Sequence, residues 1–113
     1  MWRRLGSLRP AVRKLVAQAN DLRDRGNPQE AATLYQRAIE AGDDRPGVRK
    51  QLANMLKDSR RFNEAFEQYS LCLATKRNLA DTYVQLGHLF KMQGEMNRAI
   101  EYYRKAADSP DGA

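Results

Sequence analysis

The chain has 113 residues, a formal net charge of +6, 30% charged and only 8% aromatic residues. That is one domain by size, with the polar surface that amphipathic helices need. A single cysteine, Cys72, excludes an intramolecular disulfide and a cysteine-based zinc cluster, and no apolar run approaches the ~20 residues of a membrane-spanning helix. The expectation is a cytoplasmic chain, with nucleic acid or anionic lipid kept in view by the positive charge.

Residues 1–10 read MWRRLGSLRP, with Arg3, Arg4 and Arg9 and no acid before Asp21. The paired arginines invite an export or transit signal, but no apolar core of 7–15 residues follows them. A basic N-terminal arm or cap is predicted instead. Trp2, Leu5 and Leu8, spaced three apart, would pack on the first hairpin. That hairpin is predicted over Ala11–Arg25 and Gln29–Glu40, with Asn27 as N-cap and Pro28 at the first helical position. Gly42 suits the left-handed position that ends the second helix. Pro46 opens the third helix, which runs to about Ser59, and Asn63 starts a fourth that ends near Thr75. Asn78 is placed to cap the fifth, Gly94 breaks it, and a sixth is predicted over Met96–Ala107. Residues 109–113 then read as a mobile tail.

The six helices repeat. Ala31, Ala65 and Ala99 stand 34 residues apart, as do Tyr35, Tyr69 and Tyr103, and the small residues Ala38, Cys72 and Ala106. In the preceding helices Ala19, Ala53 and Gly87 recur, followed by Leu22, Leu56 and Phe90. The stretch Tyr83-x-x-Leu86-Gly87-x-x-Phe90, then Ala99-x-x-x-Tyr103, resembles the tetratricopeptide repeat closely. Gln18, Arg49 and Arg60 depart from that pattern without disturbing the period.

The resemblance implies an all-α fold, a right-handed α-solenoid segment of three antiparallel helix-turn-helix hairpins. Residues 11–108 hold the three repeats, about 12–45, 46–79 and 80–111. It also implies a non-catalytic interaction module whose first helices line a groove for an extended peptide or a partner helix. The groove positions it assigns include Asn20, Arg23, Lys50, Asn54, Lys57, Gln85, His88 and Lys91. Two columns lie in register among them, Asn20–Asn54–His88 and Arg23–Lys57–Lys91. Amides can both donate to and accept from a peptide backbone, and cations favour its acidic groups. The carboxylate clamp of chaperone-binding members maps onto Val16, Asn20, Gln51, Asp81 and Gln85. Only Asn20 fits it, so that subclass is not expected.

No motif for catalysis, metal or cofactor accompanies His88 or Cys72, and Cys72 falls in the small-residue slot of the repeat. No cofactor and no enzyme activity are expected, although such repeats also occur as segments of larger enzymes such as bacterial glycosyltransferases. RNA binding ranks lower, because the basic residues are not interleaved with exposed aromatics. The alternative function is self-association: Leu89, Ile100 and Tyr103 are expected to border an open apolar end and form a homodimer through the C-terminal hairpin. At Gly87, alanine is expected to be tolerated and leucine to overfill a helix contact.

Overall fold

A computed structural model describes residues 9–112. The arm with Trp2, Leu5 and Leu8 lies outside the described residues. Six α-helices follow one another: α1 (Pro10–Asp24), α2 (Pro28–Glu40), α3 (Pro46–Asp58), α4 (Phe62–Leu73), α5 (Leu79–Met92) and α6 (Met96–Asp108). They pair as three antiparallel hairpins, α1 with α2, α3 with α4 and α5 with α6, in an all-α tetratricopeptide-type arrangement. Each hairpin packs on the next, and the first and third share no packed interface.

Local chemistry explains the boundaries. Pro10, Pro28 and Pro46 occupy the first turn of α1, α2 and α3, where a missing N–H costs nothing. Inside every hairpin the first helix ends in a Schellman motif. The N–H of Gly26 donates to the carbonyl of Arg23 and that of Asn27 to Leu22; the same pair of bonds recurs at Arg60 and Arg61, and at Gly94 and Glu95. Arg60 therefore holds the left-handed conformation, φ +62°, that glycine supplies at Gly26 and Gly94.

Two expected caps differ from the structure. Neither Asn27 nor Asn78 makes a side-chain cap hydrogen bond. At α5 the cap comes from the other end of its own hairpin. Pro110–Gly112 forms a short 3₁₀ turn, and the two carboxylate oxygens of Asp111 accept from Leu79 N (2.8 Å) and Ala80 N (3.0 Å). Asp111, in the stretch expected to be mobile, is thus tied to the start of α5. Ser109 beside it is buried, its hydroxyl donating to the Lys105 carbonyl.

The core follows the repeat. Tyr35 and Tyr69 are fully buried, as are Ala19, Ala31, Ala53, Ala65 and Ala99. Small side chains let the helices of a hairpin approach, and the tyrosines fill the space between them. Three further positions separate α1 from its counterparts. Val48, Leu52 and Met55 of α3, and Thr82, Leu86 and Leu89 of α5, are buried, whereas Lys14, Gln18 and Asp21 of α1 are exposed. These positions face the preceding hairpin, and α1 has none among the described residues.

The joints themselves are unequal. Ala32 lies buried where α2 meets α3, and those helices pack closely. Its counterpart Phe66 meets Phe90 edge-on at 5.8 Å and stays 38% exposed, so the bulkier ring props α4 from α5. Phe90 in turn stacks on Tyr102 at 5.4 Å. Aromatic filling thus replaces close helix contact at the second joint.

A candidate protein-binding groove on the first helices

The first column of the expected groove carries an internal hydrogen bond in the first two repeats. Asn20 Oδ1 accepts the hydroxyl of Tyr35 at 2.5 Å, and Asn54 Oδ1 accepts that of Tyr69. Both pairs span 15 residues and tie the first helix to the second. A buried hydroxyl needs such a partner, since leaving it unmade costs ~1–3 kcal/mol. Burial also raises the pKa of both phenols, so the donors stay protonated. With its oxygen engaged, each asparagine presents its NH2, a donor, as the group left for a ligand.

The third repeat solves the same problem differently. His88 stands where Asn20 and Asn54 stand, and its ring meets Tyr103 edge-on at 5.7 Å. Tyr103 leans over α5, where a Cβ built on Gly87 would lie 2.4 Å from the ring. The expectation that alanine fits at Gly87 is corrected by this contact. Ala19 and Ala53 carry a methyl at the same register because Tyr35 and Tyr69 are held elsewhere, by asparagine. Desolvation of the His88 imidazole, with Lys57 and Lys91 nearby, lowers its pKa against the pull of Asp81. It stays neutral at pH 7.

The cation column is less uniform than its spacing implied. Arg23 pairs with Asp24 at 3.0 Å, which raises its pKa, and reaches Asn20 and Tyr35 at 3.5 Å. Lys57 is 92% buried and donates to Gln85 Oε1 at 2.7 Å. That burial lowers its pKa, with Asp58 and Asp81 opposing. Lys50 bridges to Asp81 at 2.9 Å. Lys57–Gln85 and Lys50–Asp81 therefore join α3 to α5. Lys91 alone of the column is exposed and makes no ion pair among the described residues.

Sequence reasoning missed Asp43. Its carboxylate is buried and accepts from Arg45 N (3.2 Å), Nε (2.9 Å) and Nη2 (2.7 Å), closing the turn between the first two hairpins. The Asp-x-Arg spacing before Pro46 was the available signal, an aspartate bonding its own backbone two residues on. At the expected open end, Ile100 is 44% exposed and Tyr103 half-buried, but Leu89 is fully buried. Leu89 faces the second hairpin and borders no open surface. Cys72 is buried beside the core and burial pushes its thiol pKa up, which fits a packing role. Among the described residues no group of three His, Cys, Asp or Glu side chains is placed to hold a metal ion, and no helix is long and apolar enough to cross a membrane.

Two tetratricopeptide-repeat profiles match the chain, one over residues 80–109 and one over residues 19–41. No curated protein matches it. With six helices in three hairpins at the period of the family, the chain is a tetratricopeptide-repeat domain. Domains of this family are typically protein–protein interaction modules and generally non-catalytic.

Proposed function

We propose that the first helices α1, α3 and α5 hold an extended, acidic segment of a partner protein. The observation that supports this most is the state of the asparagine column. Tyr35 and Tyr69 occupy the acceptor oxygens of Asn20 and Asn54, so both amides offer donors at the same register of successive repeats. A backbone carbonyl is the complementary group, and an extended peptide supplies carbonyls at regular intervals. Arg23, Lys50, Lys57 and Lys91 outnumber Asp24, Asp58 and Asp81 along the same helices, which favours acidic side chains on that peptide.

The exposed Lys91 is the cation best able to meet such a side chain; Lys57 contributes from below through its bond to Gln85. Isothermal titration of an Asp/Glu-rich peptide pool against the wild type and Lys91→Glu tests this. The variant should bind more weakly with an unchanged melting temperature, because an exposed, unpaired lysine costs little to replace, within about ±0.5 kcal/mol. Lys57→Glu is the wrong probe, since it would bury a carboxylate and unfold the joint. Equal affinity of wild type and Lys91→Glu for the bound peptides would refute the acidic preference.

A further inference from the structure

The turns after α2, α4 and α6 bring Asp43, Arg77 and Asp111 to one register, 34 residues apart. The two aspartates each give a carboxylate to backbone N–H groups at the start of a first helix. Asp43 accepts from Arg45 N, and Asp111 accepts from Leu79 N and Ala80 N. Arg77 reverses the charge at this register, and its exposed guanidinium makes no ion pair among the described residues. Between its turn and the start of α3 lies a cavity of about 480 Å3, with Pro46, Gly47, Lys50, Thr75, Arg77 and Asp81 in its walls. The period maps Pro46 onto Ala80 and Arg77 onto Asp111, so this cavity corresponds to the place that the Asp111 carboxylate takes on α5.

Lys50 is a second departure at the same place. Its counterparts are Val16 and Val84. The Lys50 side chain is only 15% exposed, and its ammonium donates to Asp81 at 2.9 Å and to the Asn78 carbonyl at 3.5 Å. An ammonium has three donors, so one remains.

We infer that this cavity is a subsite for one carboxylate of the bound segment, held between Lys50 and Arg77. The third hairpin brings its own acid to the start of its first helix. The second brings two cations there instead, and the complementary group is an acid from the ligand. Lys50 and Arg77 against Asp81 leave one net positive charge, which matches a single carboxylate better than a phosphate dianion. Gly47 widens the cavity, since a Cβ there would meet nothing within 4 Å. The inference rests on the reading that an acidic segment lies along the first helices, and it assigns one acid of that segment to the turn beside the second repeat.

NMR titration of the intact 15N-labelled chain tests the inference. The first probe is propionate, a glutamate side chain without a peptide, exchanged against chloride at constant ionic strength. The second is the Asp/Glu-rich peptide pool in C-terminal acid and amide forms. The Gly47 N–H and Arg77 Nε–H resonances should shift saturably with both probes. An equal response to the two peptide forms assigns the carboxylate to a side chain, and a response to the acid form alone assigns it to a chain terminus. Arg77→Asp, which copies the third hairpin, should weaken both titrations about fivefold, the worth of one exposed ion pair. Arg77→Lys should recover most of that loss, and neither variant should melt earlier than the wild type. Arg37→Asp makes the same change of net charge at an exposed position on α2 and should leave both titrations unchanged. Gly47 and Arg77 resonances that stay fixed with both probes would overturn the inference. So would equal weakening by Arg37→Asp and Arg77→Asp, or inorganic phosphate moving the same resonances at lower concentration than propionate. Asn20 and Asn54 stand outside the cavity walls and judge the groove separately. Shifts at Gly47 and Arg77 with both asparagines unmoved would refute the groove alone, and the reverse would refute the cavity alone.

Discussion

At the scale of single residues, the fold turns on what each first-helix polar side chain offers the tyrosine 15 positions later. Asparagine with alanine beside it holds Tyr35 and Tyr69, whereas histidine with glycine beside it receives Tyr103. Gly87→Ala alone should destabilise the chain. Overpacking against the Tyr103 ring costs about 1–3 kcal/mol, more than the ~1 kcal/mol of helix propensity gained over glycine. Adding His88→Asn recreates the arrangement of the first two repeats, so the double variant should be more stable than the sum of the singles by ~1 kcal/mol. Urea denaturation of the four-membered cycle checks this, and strict additivity would show that the two positions are not coupled. Asp43 gives a second residue-scale test. Desolvation would raise its pKa, but the hydrogen bonds from Arg45 outweigh it, and the carboxyl stays below its ordinary value. Its contribution is present above the unfolded carboxylate range and is lost as pH falls through the depressed folded value. Asp43→Asn should cost about 1.5–3 kcal/mol at neutral pH and flatten the acid side of the stability profile. An acid unfolding curve that keeps its steepness in the variant would assign that pH dependence to other groups.

At the scale of helices, ends and joints decide what the chain can do. The cap on α5 is borrowed: Asp111 satisfies the N–H groups of Leu79 and Ala80 that Asn78, in the left-handed conformation, leaves without a side-chain partner. Asp111→Ala should remove about 0.5–2 kcal/mol, and amide exchange at Leu79 and Ala80 should quicken before that of α1. Unchanged protection at both amides would show that the contact does not persist in solution. Much of this scale was legible in the sequence. Prolines at first turns, glycines at Schellman positions and the apolar stripes placed all six helices to within a residue or two. The cap was not, because a carboxylate more than thirty residues away leaves no local signal. Nor was the direction of Leu89, because an apolar residue on a repeat helix can face either neighbouring hairpin. Comparison with Gln18 and Asp21 separates the two faces: a position polar only on α1 is one that meets a preceding hairpin.

At the scale of the molecule, the domain offers different chemistry on different sides. The first helices present amide donors and cations, while the outer face of α6 presents Met96 and Ile100. The register of the polar columns on the first helices was readable from the 34-residue period, but the occupancy of those polar groups was not. Spacing put Lys57 in a column of cations, and only packing shows that Gln85 and burial have claimed it. The proposed peptide binding uses the amide donors of Asn20 on α1 and Asn54 on α3. The most direct measurement is the perturbation of side-chain NH2 resonances of Asn20 and Asn54 in 15N-labelled protein as an Asp/Glu-rich peptide is titrated. Both should shift saturably, accompanied by the ring protons of His88, with the Tyr35 and Tyr69 bonds intact. Shifts confined to α2, α4 and α6, with both asparagine NH2 groups unmoved at saturation, would contradict it.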